Sequence, residues 1–302
     1  MPRRVITDSQ ESFRGGLNLT ADETKIGSTE IRRAENARLT EYGGASKRLG
    51  TRRTHASAIG SANVVRGGYS WRSDSTTTEL AVANGALHTG TYSIGMTWSA
   101  QAGAMDAAVY PSFAAFRDSS AEVAYVADGG AINKWNATTL TVNVAGTPNV
   151  TQIVVYNQRL FGVGDTSNPQ TIYYSSLNNG DTLNGTGGGN AIVRTFAHQA
   201  LTALLPLGGS LMMFHRTGVS RFTGWSQDDI NILSGTQGVA SDVGTIAPRS
   251  VVAVENFGYF VSDRGVYEIT EFGVRSISIS IESEIAKLDQ TLFNRLTSVH
   301  NK

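Results

Sequence analysis

Cysteine is absent from the 302-residue chain, so disulfides, thiolate metal sites and a cysteine nucleophile are all excluded. Proline is scarce at six residues, and charged side chains make up only 17%. The 25 basic and 25 acidic residues cancel. That balance argues against a dedicated DNA-binding domain, whose footprint is strongly basic. No apolar run approaches the roughly 18 residues that a membrane-spanning helix needs. The start, Met1 to Asp8, lacks the apolar core of a signal peptide. HExxH, GxSxG, EF-hand and Walker patterns are missing, and the histidines at 55, 88, 198, 215 and 300 never stand at metal-ligand spacing. What the chain does have is 33 glycines and 40% hydrophobic residues. It reads as a folded, β-rich protein.

An internal repeat organises it. Leu80–Gly90, Val123–Trp135, Leu211–Phe222 and Tyr259–Ile269 each run as a short apolar strand, a turn with glycine, and a second strand. The glycines that open the second strands, Gly85, Gly130, Gly218 and Gly265, are separated by 45, 88 and 47 residues. The wide gap holds a fifth copy with a longer turn, Arg159–Gly164 and Thr171–Ser175. An apolar stretch leads each pair: 64–71, 107–116, 152–156, 201–205 and 250–254. Asn190–Thr195 and Ser276–Ser280 supply candidate fourth strands. Four short strands in roughly every 45 residues are the mark of a propeller blade, because stacked blades bury faces that a lone sheet would expose. A two-sheet sandwich also uses many short strands but does not require that period. The expectation is an all-β chain, a β-propeller of about five four-stranded blades. Ala81, Ala83, Ala124 and Ala127 suit strands near a crowded axis.

Helix is sparse. Ser28 or Thr29 can cap a short helix through Leu39. Ile281, Ile285, Leu288, Leu292 and Leu296 recur at spacings of 4, 3, 4 and 4, one face of an amphipathic helix. The expected organisation is an N-terminal arm over 1–60 with a short helix and a basic hairpin, a propeller over 61–280, and an amphipathic C-terminal helix over 281–302. That helix packs either on its own propeller or on a neighbouring subunit.

Neutrality hides an asymmetry. Residues 1–60 carry 11 Lys/Arg against 7 Asp/Glu, and the remainder 14 against 18. Lys47, Arg48, Arg52 and Arg53, with His55 nearby, concentrate the basic excess. Such a cluster touches phosphates, faces solvent, or meets another subunit. His88 and His215 lie in repeat strands, where a hydrogen-bonded structural role fits best. Gly43–Lys47 lacks the ending of a phosphate cradle, and Gly185–Gly189 reads as a strand-to-strand tip loop. Asp228 and Asp229 stand together near Trp225.

Ser176–Leu183 resembles the Asp-box turn of sialidase-type propellers, with Asn178 where Asp is usual and Leu183 where Trp is usual. In those folds the turn is structural. With Trp135 and Trp225 it supports an alternative reading, a carbohydrate-binding or sialidase-like glycoside-processing propeller. Such a site requires convergent arginines and a Tyr–Glu pair at the axis end. No catalytic constellation stands out, so the expectation is a non-enzyme with no cofactor and no metal.

A second resemblance covers most of the chain as loose patterns. Asn157–Gly162 with Asn168–Ser175, and Gly244–Val251 with Gly258–Tyr267, resemble a recurrent blade of bacteriophage tail structural proteins. Gly15–Asn18, Glu30–Asn36 and Gly43–Gly50 resemble the entry segment of tail nozzle proteins of the tail tubular protein B type. The resemblance implies a virion component, assembled in the host cytoplasm into a ring, commonly a hexamer, that extends the DNA-ejection channel. Its partners would be itself and adjacent tail or adaptor ring proteins, with transient contact to passing DNA. Lys47, Arg48, Arg52 and Arg53 would then face the adaptor ring or the channel. Nozzle proteins of this type are usually much longer.

Overall fold

The computed structural model describes residues 12–19, 22, 25–31, 37–39, 44–47, 58–61, 64–74, 76–93, 96–119, 121–193, 199–224 and 237–298. They fall into two compact units, one of 1–52, 264–266 and 276–289, and one of 53–263, 267–275 and 290–302.

Five four-stranded antiparallel sheets succeed one another along the chain, each laid down in sequence order from its inner to its outer strand. They are the blades of a five-blade β-propeller. To number strands from the amino end, β1 (Gly16–Leu17), β2 (Glu30–Ile31), β3 (Ala37–Leu39) and β4 (Ala45–Lys47) precede the blades. Blade one is β5 (Val65–Arg72), β6 (Thr77–Ala83), β7 (Ala86–Gly90) and β8 (Ser99–Ala100). Blade two is β9 (Ser112–Arg117), β10 (Glu122–Ala127), β11 (Asn133–Trp135) and β12 (Leu140–Thr141). Blade three is β13 (Gln152–Tyr156), β14 (Arg159–Val163), β15 (Thr171–Tyr174) and β16 (Gly189–Ile192). Blade four is β17 (Leu201–Leu207), β18 (Ser210–His215), β19 (Val219–Phe222) and β20 (Gln237–Ala240). Blade five is β21 (Val252–Val254), β22 (Phe257–Ser262), β23 (Gly265–Ile269) and β24 (Val274–Ser276).

Period-two alternation explains why the second strands read as continuous apolar runs. In β10, Val123, Tyr125 and Ala127 join a core with Ile153, Leu160 and Leu183 of blade three. The intervening Ala124 and Val126 join Trp71, Leu80 and Leu87 of blade one. β18 divides in the same way, Leu211 and Met213 towards Phe161 and Tyr174, Met212 and Phe214 towards Phe260 and Ile269. The middle of each such strand is buried on both faces and reads apolar, while the polar Ser210 and His215 fall at the ends of β18. A fully buried side chain of this size contributes about 1.5–3 kcal/mol from its apolar area. Edge-on ring contacts add specificity, as between Phe214 and Phe260 at 5.1 Å.

Turn chemistry sets the register. Asn84 and Gly85 both have positive φ, 51° and 71°, between the paired Ala83 and Ala86. That is the two-residue hairpin turn whose twist matches the strands, and glycine meets its second left-handed position without steric cost.

The small residues Ala81, Ala83, Ala124 and Ala127 lie in second strands, Ala124 and Ala127 between blades and Ala81 and Ala83 against Ile59 and Trp98. Two expectations are corrected. Glu30–Ile31 and Ala37–Leu39 are strands, not the ends of one helix; β1 pairs with β2 in parallel and β3 with β4 antiparallel. Within the expected C-terminal helix over 281–302, the described residues 281–298 do not form one amphipathic helix. A single α turn, α1 (Glu282–Ile285), is separated by residues 286–289 from a 3₁₀ segment at Gln290–Arg295. Five residues at helical spacing are a weak demand when only Ile285 of the five finds a buried seat.

In the smaller unit, the Glu30 carboxylate accepts from the Gly27 amide and from Asn18 Nδ2, each at 3.0 Å. The backbone bond leads in holding its pKa below the usual carboxylate value. Leu19 N donates to Ser280 O at 2.9 Å within the same unit.

Candidate functional site

The first strands of all five blades border one axial cavity of about 910 Å³. Gly68 and Tyr69 come from β5, Ser112 and Phe113 from β9, Gln152 to Val154 from β13, Leu204 to Pro206 from β17, and Val252 and Ala253 from β21. Tyr69 and Phe113 stack in the wall with centroids 5.5 Å apart and planes 4° apart. The blades approach closely there. A Cβ on Gly67 would stand 2.7 Å from Pro111 Cγ, so glycine is required by proximity.

At the end where the first strands begin, Tyr110 is approached by two cations. The guanidinium carbon of Arg66 stands 4.9 Å from the ring centroid, and that of Arg249 stands 5.0 Å from it. Blades one, two and five thus each deliver one member. The position of Arg249 is set by the segment Gly244–Val251. Gly244 packs so tightly that a Cβ would stand 2.0 Å from His215 O and 2.7 Å from Gly218 N. Thr245 then donates its hydroxyl to Val261 O at 2.7 Å and accepts from Ala247 N at 3.0 Å. A 3₁₀ turn at Pro248–Ser250 comes next, with Ser250 Oγ donating to Ala247 O at 2.7 Å and accepting from Val261 N at 3.0 Å. Every link runs to backbone, so Arg249 is offered from a rigid corner. Burial lowers its pKa from the ordinary arginine value, against the opposing influence of Tyr110. Gln152 ties the next blades in, accepting from Leu204 N at 2.7 Å.

The C-terminal segment reaches the same end. Asn294, Thr297 and Ser298 border the cavity, and Ser298 N donates to Arg249 O at 3.0 Å. Phe293 of the same segment is buried.

Of the residues singled out from sequence, Lys47 ends β4 and is exposed. Arg48, Arg52, Arg53 and His55 lie outside the described residues, as do Trp225, Asp228 and Asp229. His88 and His215 are buried, and His88 Nε2 has no hydrogen-bond partner among the described residues. His215 Nδ1 lies 3.2 Å from Gln199 O, and burial lowers its pKa from the usual value. Trp135 is buried against Trp71 and Leu87, so it offers no face for stacking a sugar. The Gly185–Gly189 loop folds back on its own blade, where Arg159 donates to Ser175 O at 2.7 Å and Gly187 O at 3.4 Å.

The Asp-box-like turn is a structural joint. Asn179 caps the 3₁₀ turn Gly180–Thr182, and Ser176 Oγ meets Thr182 Oγ1 at 2.7 Å. Asp181 accepts from Tyr125 Oη at 2.7 Å and from Lys134 Nζ at 2.7 Å, and Lys134 also reaches Asp118 at 2.8 Å. Burial raises the Tyr125 pKa, and the Asp181 hydrogen bond adds to it. For Lys134 burial pulls downward, but the two carboxylate bonds outweigh it and the pKa is raised. The turn therefore links blade two to blade three.

Arg66 and Tyr110 escaped sequence reasoning. Neither lies in a recognisable motif, and they stand 44 positions apart, about one blade period. Arg249 stands out in the sequence only as one member of a blade pattern. Among the described residues, no group of three or more His, Asp or Glu side chains is placed to hold a metal ion, and no helix is long and apolar enough to cross a membrane.

No family model and no curated protein matches the chain. Solved structures do. The extracellular domain of BT4673 from B. thetaiotaomicron superposes with a TM-score of 0.51 at 8% identity, over 75% of this chain and 29% of that one. PorZ, a bacterial surface component of the type-IX secretion system of Porphyromonas gingivalis, gives 0.44 at 14% identity, over 69% and 28%. The AfRom2 CNH domain gives 0.44 at 10% identity, over 78% and 75%. The chain spans under a third of the length of the first two. At such identities the likeness is one of fold alone. The class defined by fold and site is a five-blade β-propeller with a cation-bearing axial cavity.

Proposed function

We propose that the chain is a structural virion protein of a bacteriophage tail, a nozzle or tail-tube ring component that forms part of the DNA-ejection channel. The observation that carries this reading is the role of the resemblance-bearing segments. Gly244–Val251 is a corner hydrogen-bonded to the backbone of its neighbours. Within the entry segment, Gly16–Leu17 pairs with Glu30–Ile31, and Ala45–Lys47 pairs with Ala37–Leu39. These are joints and frames, the parts an assembly protein needs. Exposed apolar side chains on separate blades, among them Tyr92 at 65% and Phe272 at 81%, add contact material for neighbours.

In this reading the subunits close a ring, commonly of six, that stacks on an adaptor ring through the basic segment holding Lys47, Arg48, Arg52 and Arg53. The protein performs no catalysis. Mass spectrometry and cryo-electron microscopy of purified particles test it. The expected result is a protein present in a fixed ring copy number at the tail. A protein absent from washed particles, or one that turns over sialosides, refutes it.

A further inference from the structure

The axial cavity is electrostatically one-sided. Its border includes hydroxyls, amides, aromatic rings and aliphatic groups, and among the described residues its single formally charged member is Arg249. Arg66 adds a second cation at the same tyrosine ring. Among the described residues neither arginine forms an ion pair or hydrogen bond with a carboxylate, although other arginines do: Arg117 with Asp74 and Glu122, Arg275 with Glu268. Drawn to one ring, the two guanidiniums lie within about 10 Å of each other, too near for salt to screen their repulsion fully. Cation–π contact of each guanidinium with Tyr110 offsets that cost. It does not neutralise the charge.

Two half-buried guanidiniums with free donors are suited to an oxyanion, since each presents a planar fork matched to carboxylate or phosphate oxygens. The rest of the wall selects the body attached to that headgroup. Tyr69, Phe113, Val154, Leu205 and Val252 provide apolar surface deeper along the axis, and Thr297 and Ser298 provide hydroxyls at the mouth. A volume of about 910 Å³ lies within the range of small-molecule sites. From this juxtaposition we infer that the axial cavity binds a small organic anion, its carboxylate or phosphate held by Arg66 and Arg249 over Tyr110 and its apolar body against the Tyr69–Phe113 stack. The C-terminal segment, bonded to Arg249 O, forms one wall of the mouth. This site does not depend on the virion reading, and either can fail without the other.

Isothermal titration calorimetry and thermal-shift measurements on the full chain test it, with benzoate, phenyl phosphate, benzamide and benzylammonium as probes. The expected result is saturable binding of benzoate or phenyl phosphate, weakened by added salt, with no comparable effect of the neutral or cationic probe. The stronger of the two anions identifies the headgroup. Arg66→Gln and Arg249→Gln each lower the affinity about tenfold or more, and Arg249→Lys loses less than Arg249→Gln. Failure of the wild-type chain to bind either anion, or benzamide binding as well as benzoate, overturns the inference. So does a double Gln variant that retains anion binding. The wild-type titrations decide the matter even where a variant fails to fold.

Discussion

Replacing Lys134 with methionine isolates the joint between blades two and three. Lys134 Nζ lies 2.8 Å from Asp118 Oδ2 and 2.7 Å from Asp181 Oδ2. The side chains are 18% exposed for Lys134, 12% for Asp118 and 40% for Asp181. Methionine keeps the aliphatic stem and removes the charge. Asp181 retains the Tyr125 hydroxyl and its solvent, so its loss is small. Asp118 retains little, since its other oxygen, Oδ1, is already buried without a partner. Removing one member of a buried pair costs about 3–5 kcal/mol, and the residual exposure here reduces that to about 2–3 kcal/mol. For a domain of this size that is a fall in Tm of about 5–10 °C. Calorimetry and urea unfolding at neutral pH measure it. The decisive arm adds Asp118→Asn to Lys134→Met. If an uncompensated carboxylate is the cause, the double variant recovers at least about 1 kcal/mol relative to the sum of the singles. A cost below about 0.5 kcal/mol, or strict additivity, refutes the reasoning. Since the Lys134 pKa is raised, its contribution is complete at neutral pH. It is lost only as pH climbs from the unfolded value of 10.5 through the higher folded one.

Gly180→Ala should cost about 2–3 kcal/mol in urea unfolding, because the new methyl would stand 2.4 Å from a ring carbon of Tyr125, itself held by Asp181. Gly244→Ala should cost about 3 kcal/mol or prevent folding, since the clash is with immovable backbone at His215 O; a soluble variant of wild-type Tm would contradict the close-packed corner. His215 is buried with a lowered pKa. It is neutral in both states at high pH, so stability should fall as pH drops below about 6.5 and flatten below the folded pKa, and His215→Gln should remove that slope from a pH series of melts. Phe161→Ala, a fully buried ring in the core shared by blades three and four, should cost about 3–5 kcal/mol in the same assay.

The blade period was legible in the amino-acid order because its causes are local. A second strand buried on both faces must be apolar throughout, as Leu211–Phe214 is, and a two-residue turn needs left-handed backbone, as Asn84–Gly85 shows. Short outer strands such as Ser99–Ala100 and Leu140–Thr141 carried no signal, since two residues at a blade rim need no pattern. The C-terminal segment misled because five apolar residues at helical spacing satisfy periodicity whether or not a surface exists to receive them, and only Ile285 of the five is buried.

Sequence alone determined the all-β class, the five repeats and the absence of thiol chemistry. Tertiary structure alone decided what lies at the axis. Arg66, Tyr110 and Arg249 belong to the first, second and fifth repeats, and the blade period that separates the first two does not say which side chains converge. They meet because the first strand of every blade borders the same cavity, which turns residues far apart in the chain into neighbours on one ring. A net charge of zero, summed over the chain, conceals two cations at one ring because charge balance is global, while the field a ligand meets is set within a few ångströms.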